Sequence, residues 1–240
     1  MKKDLQSNTT DSLEEAFDWP NMFSKWAEEA PEGALKRYYQ AGVVDINTPL
    51  HSLPMVALDL ETTGLDALQD EIISIGLVPF DHSIIRCQGA QYWIAKPNKD
   101  LHPESVTIHE ITDSELAGAP PVSAILDKVL EALIGKVVVV HCLAIERQFL
   151  LEAALKVYGY PLYFPMLDTM AIERKVLHKP WWQRFGKAPS LRLDACRQNY
   201  RLPRYKAHHA LTDALSSAEL LQAQFSYHFD KSKPISDYWL

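Results

Sequence analysis

Asp59 and Glu61 close an apolar run in the segment Asp59-Leu60-Glu61-Thr62-Thr63-Gly64. On a strand, side chains two positions apart point to one face. The two carboxylates therefore project side by side and repel each other unless a cation lies between them. An all-oxygen pair suits a hard cation such as Mg²⁺, which takes a few carboxylates together with substrate phosphate. Thr62, Thr63 and Gly64 add hydroxyls and close backbone approach, useful beside a phosphate or a base. Taken alone, a solvated acidic strand end explains the pattern better.

Two further segments carry candidate groups. Glu146 lies in His141-Cys142-Leu143-Ala144-Ile145-Glu146-Arg147-Gln148-Phe149-Leu150, directly after four consecutive valines. In α/β folds, sites form beyond the carboxyl ends of strands, and a helix N-terminus favours an anion. For Glu146 by itself, an exposed charge is the simpler account. Asp213 lies in His208-His209-Ala210-Leu211-Thr212-Asp213-Ala214, where Ala210, Ala214 and Ala218 make a narrow, closely packing helix face. His208 precedes that helix. Histidine is the usual general base because its pKa lies near neutrality, although a helix-capping role is commoner for one histidine alone.

These groups need a frame. Apolar runs predict strands over 55–60, 71–80 and 84–95, joined by short connections and hence an antiparallel meander. The valines at 137–140 mark a strand buried on both faces, as in a parallel sheet, and 161–167 reads as a further extended segment. Helical periodicity covers 121–134, 143–158, 168–176, 191–200 and 209–226, with Thr112 starting a short helix, Asp168 capping 168–176 and Ser190 capping 191–200. Strands first, then alternating helix and strand, give an α/β mixed sheet with helices on both faces. Upstream, Ser12 and Glu15 form a capping box for a helix that Pro20 interrupts, and 32–40 forms a second helix. This N-terminal helical extension reads as a hairpin packed on the main domain, or as a segment docking a protein partner through exposed aromatics. The domain boundaries expected are 1–50 for the extension, its first residues disordered, 51–226 for the main domain and 227–240 for an unassigned tail.

Composition narrows the class. The 240 residues are 47% hydrophobic and 23% charged, with a formal net charge of −7, as for a soluble globular protein. A basic coat for nucleic acid is lacking, but an enzyme gripping only a strand end remains compatible. Three scattered cysteines, Cys87, Cys142 and Cys196, predict neither a disulfide framework nor a thiolate zinc site. No secretory signal or membrane span is read, so the expected location is cytoplasmic, with no membrane partner.

Together, and in this order, the three motifs resemble the DEDDh 3'-5' exonucleases, the superfamily of the DNA polymerase III epsilon proofreading subunit. The resemblance spans about residues 52–225 and implies a ribonuclease H-like fold. It implies two Mg²⁺ or Mn²⁺ ions per site, held by Asp59, Glu61, Glu146 and Asp213, with His208 as general base and His209 as runner-up. The implied substrate is single-stranded or 3'-end nucleic acid, DNA or RNA, as in repair or RNA processing, and the product is a nucleotide monophosphate. Leu60, Thr62, Thr63, Gly64 and Ile145 would line the terminal nucleotide. His109, in Ile108-His109-Glu110-Ile111-Thr112, would contact its base or sugar.

Three departures stand out: Glu146 where the family has Asp, Cys142 where it has Asn, and Glu110 where it has Gly. The first leaves a second reading open, that of a catalytically weakened relative that binds nucleic acid or protein. Trp181, Trp182, Arg184 and Lys187 read equally as a base-stacking loop or as core cover. Arg192, Arg197, Arg201, Arg204 and Lys206 either collect a strand end or form a solvated face.

Overall fold

The computed structural model describes residues 18–98, 111, 113–177, 189–230 and 232–234. Among them, one sheet has the strand order β3-β2-β1-β4-β5. Its strands are β1 (Met55–Thr62), β2 (Ile72–Phe80), β3 (Gln91–Ile94), β4 (Val137–Val140) and β5 (Met166–Asp168). The first three form the antiparallel meander. β4 runs parallel to β1, β5 runs parallel to β4, and all four valines of β4 are buried.

The strand expected over 84–95 is shorter. Ile85 makes only an isolated bridge to Phe80, and a 3₁₀ turn at Cys87–Gly89 precedes β3. Asp81 is the cause: its carboxylate accepts from the main-chain N–H groups of Ser83 and Ile84 and pairs with Arg86 at 2.6 Å. This local bonding competes with the sheet ladder. The extended segment 161–167 likewise narrows to β5.

The helices are α1 (Trp19–Glu29), α2 (Ala34–Gln40), α3 (Asp113–Gly118), α4 (Leu126–Leu133), α5 (Leu143–Tyr158), α6 (Thr169–Val176), α7 (Leu193–Asn199) and α8 (Ala210–His228). The capping box of Ser12 and Glu15 lies outside the described residues. The helix present there is capped by Asp18, which accepts from the Asn21 N–H, with Pro20 in the first turn. Proline has no intrahelical bond to lose there, so Pro20 starts α1 and does not interrupt it. Ser190 does not cap α7: the cap position is Arg192, which makes no side-chain capping bond. Asp168 does cap α6, accepting from Met170 and Ala171.

Each face of the sheet has its own core. On one, Val56, Leu58, Leu60, Val138 and Val140 pack with residues of α1, α2, α4 and α5. On the other, Met55, Ala57, Val137 and Val139 pack with Ile172 of α6 and with Ala214, Ala218 and Leu221 of α8. Helices therefore cover both faces.

The aromatics of the N-terminal hairpin belong to the first core. Trp19, Phe23, Trp26, Tyr38 and Tyr39 are all buried. Trp26 packs on Tyr163 and Tyr38 on Phe164, while the Tyr39 hydroxyl donates to the Pro161 carbonyl and accepts from the Tyr163 N–H. These rings are core contacts of a hairpin packed on the main domain, and none of them is an exposed docking aromatic. Exposed rings would have left a large apolar area in water.

Candidate active site

β1 alternates as the sequence implies. Val56, Leu58 and Leu60 face the α5 side, whereas Met55 and Ala57 face α8, so Asp59 and Glu61 continue the α8 face beyond the apolar floor. The β1–β2 register slips between Glu61 and Thr62, a bulge of the kind that re-aims side chains next to sites. Asp59 lies opposite Gly76 of β2. A β-carbon on Gly76 would overlap the main chain of Ala210, the first residue of α8. Glycine at this position lets α8 settle onto the sheet and brings Asp213, in its first turn, over the strand.

Carboxylate oxygens of Asp59, Glu61 and Asp213 consequently lie within 4.8 Å of one another. Burial, then the charges of Glu146, Asp213 and Glu61, holds the Asp59 carboxyl well above its usual range. Burial also raises Asp213, against the lowering effect of the His208 N–H that donates to it. A carboxyl raised by the charges of its neighbours marks a site complementary to positive charge.

Glu146 reaches the site from α5, on the opposite face of the sheet. It is buried, and its Oε2 has no hydrogen-bond partner. Burial pushes its carboxyl up to about 8, with the Asp168 charge adding to the rise. It is not one of the three tightly grouped acids, but its charge, when ionised, adds to the rise of the Asp59 carboxyl.

His208 is exposed at the rim, and its main-chain N–H donates to Asp213 Oδ2 at 2.9 Å. Its φ of +71° is left-handed, unusual for a residue with a β-carbon. His209 occupies the helix cap position without a side-chain capping bond, and its ring stacks on Tyr92 with centroids 4.6 Å apart.

Other expected residues fall in several places. Thr62 is buried and donates to the Gly64 carbonyl, and the Thr63 hydroxyl bonds Asp70. Together they make a pinned loop. The Leu60 side chain is in the core, and Ile145 packs partly against the same core. His109 and the segment 181–187 lie outside the described residues. His141 is buried and bonds Thr169 and the Leu191 carbonyl through its two ring nitrogens, so it ties β4 to the helices around it. Arg197 is buried, bonded to the Ser216 and Pro203 carbonyls and to Glu219. It is therefore not available to collect a strand, a correction to the basic stretch read around it. A cleft of about 310 Å³ opens beside Ala67, Ile72, Phe149 and Lys156, but none of the four acids lines it.

Gly76 and Tyr92 were missed in the sequence. An isolated glycine within an apolar strand was a usable signal of close backbone approach; Tyr92 carried none.

A mixed sheet with a carboxylate cluster between the end of its central strand and a closing helix is an arrangement able to hold a divalent cation. The sequence profile of the family described as Exonuclease (RNase_T) matches residues 56–221. The chain belongs to the DEDDh exonuclease superfamily. It is 31% identical over 170 residues to a PolC-type DNA polymerase III of Thermotoga maritima, covering 69% of this chain and 11% of that protein. It is 30% identical over 172 residues to the DNA polymerase III subunit epsilon of Treponema pallidum, covering 72% of this chain and 76% of that one. The chain thus spans only a small part of the polymerase but most of the subunit. Among solved structures, the nuclease domain of 3'hExo, a DEDDh family member bound to rAMP, aligns with a TM-score of 0.61 at 14% identity, covering 73% of this chain and 92% of that one. Among the described residues no helix is long and apolar enough to cross a membrane.

Proposed function

We propose that this exonuclease acts in the 3'-5' direction, hydrolysing the terminal phosphodiester of a DNA or RNA strand to release a 5'-mononucleotide. The observation that carries the reading is the convergence of Asp59, Glu61 and Asp213 oxygens within 4.8 Å. The donor set is all oxygen and supplements itself with the orphaned Oε2 of Glu146, which fits Mg²⁺ or Mn²⁺. Asp59, Glu61 and Asp213 would hold two such ions, with Glu146 as the fourth acid. When bound, these ions offset the charge of the carboxylates and of the scissile phosphate.

The chain's own residues do the rest. His208 takes a proton from the attacking water on a ring nitrogen, as its exposed place at the rim allows. The water oxygen bonds to phosphorus, the bond to the 3' oxygen breaks, and that oxygen takes up a solvent proton. Thr62, Thr63 and Gly64 border the terminal nucleotide through their pinned loop. Leu60 contributes main chain only, and Ile145 a side wall. His109 keeps the nucleotide-contacting role that the family resemblance gives it. A net charge of −7 limits the grip to the strand end. The relatives are polymerase components and one structural neighbour holds rAMP, which supports substrates with either sugar.

The test uses 5'-labelled single-stranded and 3'-recessed oligonucleotides, as DNA and as RNA, with Mg²⁺ or Mn²⁺. A ladder shortening by single nucleotides, lost with EDTA and in Asp59→Ala, is the expected result. Folded wild-type protein that shortens none of them would overturn the reading and favour a binding-only relative.

A further inference from the structure

Beneath the first turn of α8 the sheet presents three residues in register, Asp59 on β1, Gly76 on β2 and Tyr92 on β3. At one end of this row Asp59 joins Asp213 in the carboxylate cluster. In the middle, the bare main chain of Gly76 receives that of Ala210. At the other end the Tyr92 ring lies against His209, with an interplanar angle of 22°. The start of α8 is therefore seated on the sheet at two points, Gly76 and Tyr92, with the acids beside them.

His208 stands one residue before this seat, in a left-handed conformation. Such a conformation persists when its surroundings over-determine it. One constraint is the bond from the His208 N–H to Asp213 Oδ2. The other acts through the next residue. His209 makes no capping bond, and its Nδ1 is buried without a hydrogen-bond partner. Its ring instead packs on Tyr92.

We infer that Tyr92 is a positioning residue for this exonuclease: by stacking on His209 it fixes the turn that presents His208 to the attacking water. The inference rests on the reading of His208 as general base. On this reading Tyr92 acts through the turn and not on the reacting atoms. Its effect is on the geometry of proton transfer, to which rates respond steeply.

Steady-state kinetics on the full chain test this with Tyr92→Leu, Tyr92→Phe, His208→Ala and the double variant Tyr92→Leu/His208→Ala, with Mn²⁺ affinity measured by calorimetry. Tyr92→Leu is expected to lower kcat about tenfold or more, with KM and Mn²⁺ affinity unchanged. Tyr92→Phe, which keeps the ring, restores kcat. The double variant is no slower than His208→Ala alone, because the stack acts through the base. Should Tyr92→Leu not fold, His209→Ala removes the other half of the stack and carries the same expectations. Wild-type kcat in Tyr92→Leu, a Tyr92→Phe as slow as Tyr92→Leu, or losses that multiply in the double variant would each overturn the inference while leaving the base reading intact. A His208→Ala with wild-type kcat would instead overturn the base reading, and the inference with it.

Discussion

Gly76 and Ala210 meet through main chain alone: the space a side chain would need on β2 is filled by the opening peptide of α8. Because Asp59 pairs with Gly76 across the strands and Asp213 lies three residues beyond Ala210, this contact lies beside both candidate ligands.

Gly76→Ala should therefore lift the start of α8. Overpacking of this kind costs about 1–3 kcal/mol, read as a lower thermal midpoint. Mn²⁺ affinity should fall with it. Unchanged affinity in a destabilised variant would mean that Asp213 is placed by the rest of α8 and not by this contact.

The pH dependence of the metal-free protein follows from Glu146. Burial raises its carboxyl from 4.5 to about 8. Between those values the folded state keeps a proton that the unfolded state has released, so stability falls as pH rises from about 4.5 to 8. Asp59, raised for the same first reason, adds to this slope. Thermal midpoints measured with EDTA should decline across the window, and Glu146→Gln should flatten the decline and be the more stable protein at pH 8. Because metal ligands bind deprotonated, Mn²⁺ binding near neutrality should release protons, seen as a binding heat that varies with buffer. A midpoint independent of pH would contradict the buried acid.

Phe23 is buried among Trp19, Trp26, Tyr38 and Tyr39. Phe23→Ala should cost about 3–5 kcal/mol. Tyr39→Phe, which removes the two bonds to Pro161 and Tyr163, should cost about 1–3 kcal/mol. Chemical denaturation measures both. The kcat of the folded fraction should not change, because these rings lie within the core on the α5 side.

Arg197 offers a contrast with its basic neighbours. Arg197→Ala would take away the donor that Glu219 Oε2 and the Ser216 and Pro203 carbonyls share, at about 3 kcal/mol or more, while KM for an oligonucleotide should stay at the wild-type value. An increase in KM without loss of stability would return Arg197 to the substrate-collecting group.

Much of the site was readable because its signals are local. Asp59 and Glu61 share a face through the two-residue period of a strand, and the four valines declare β4 whatever surrounds them. Features that depend on contacts distant in sequence were not readable. Nothing near Arg197 reveals the Ser216 carbonyl that accepts its hydrogen bond, and nothing near Tyr38 reveals Phe164. The β3 boundary was missed because the run from Ile84 suits a strand, whereas one carboxylate, Asp81, bends the chain away. The left-handed His208 leaves no mark in residue type, since glycine or asparagine is what that conformation ordinarily recruits.

The contact between Tyr39 and Pro161 joins positions 122 residues apart. On a ribosome adding roughly 5–20 residues per second, the hairpin aromatics emerge roughly 6–24 s before the segment that covers them. Throughout that interval Phe23, Trp26, Tyr38 and Tyr39 are a sticky patch on a nascent chain. The same rings that consolidate the finished enzyme thus make its synthesis a period of exposure to chaperones and to aggregation, and slower elongation lengthens it.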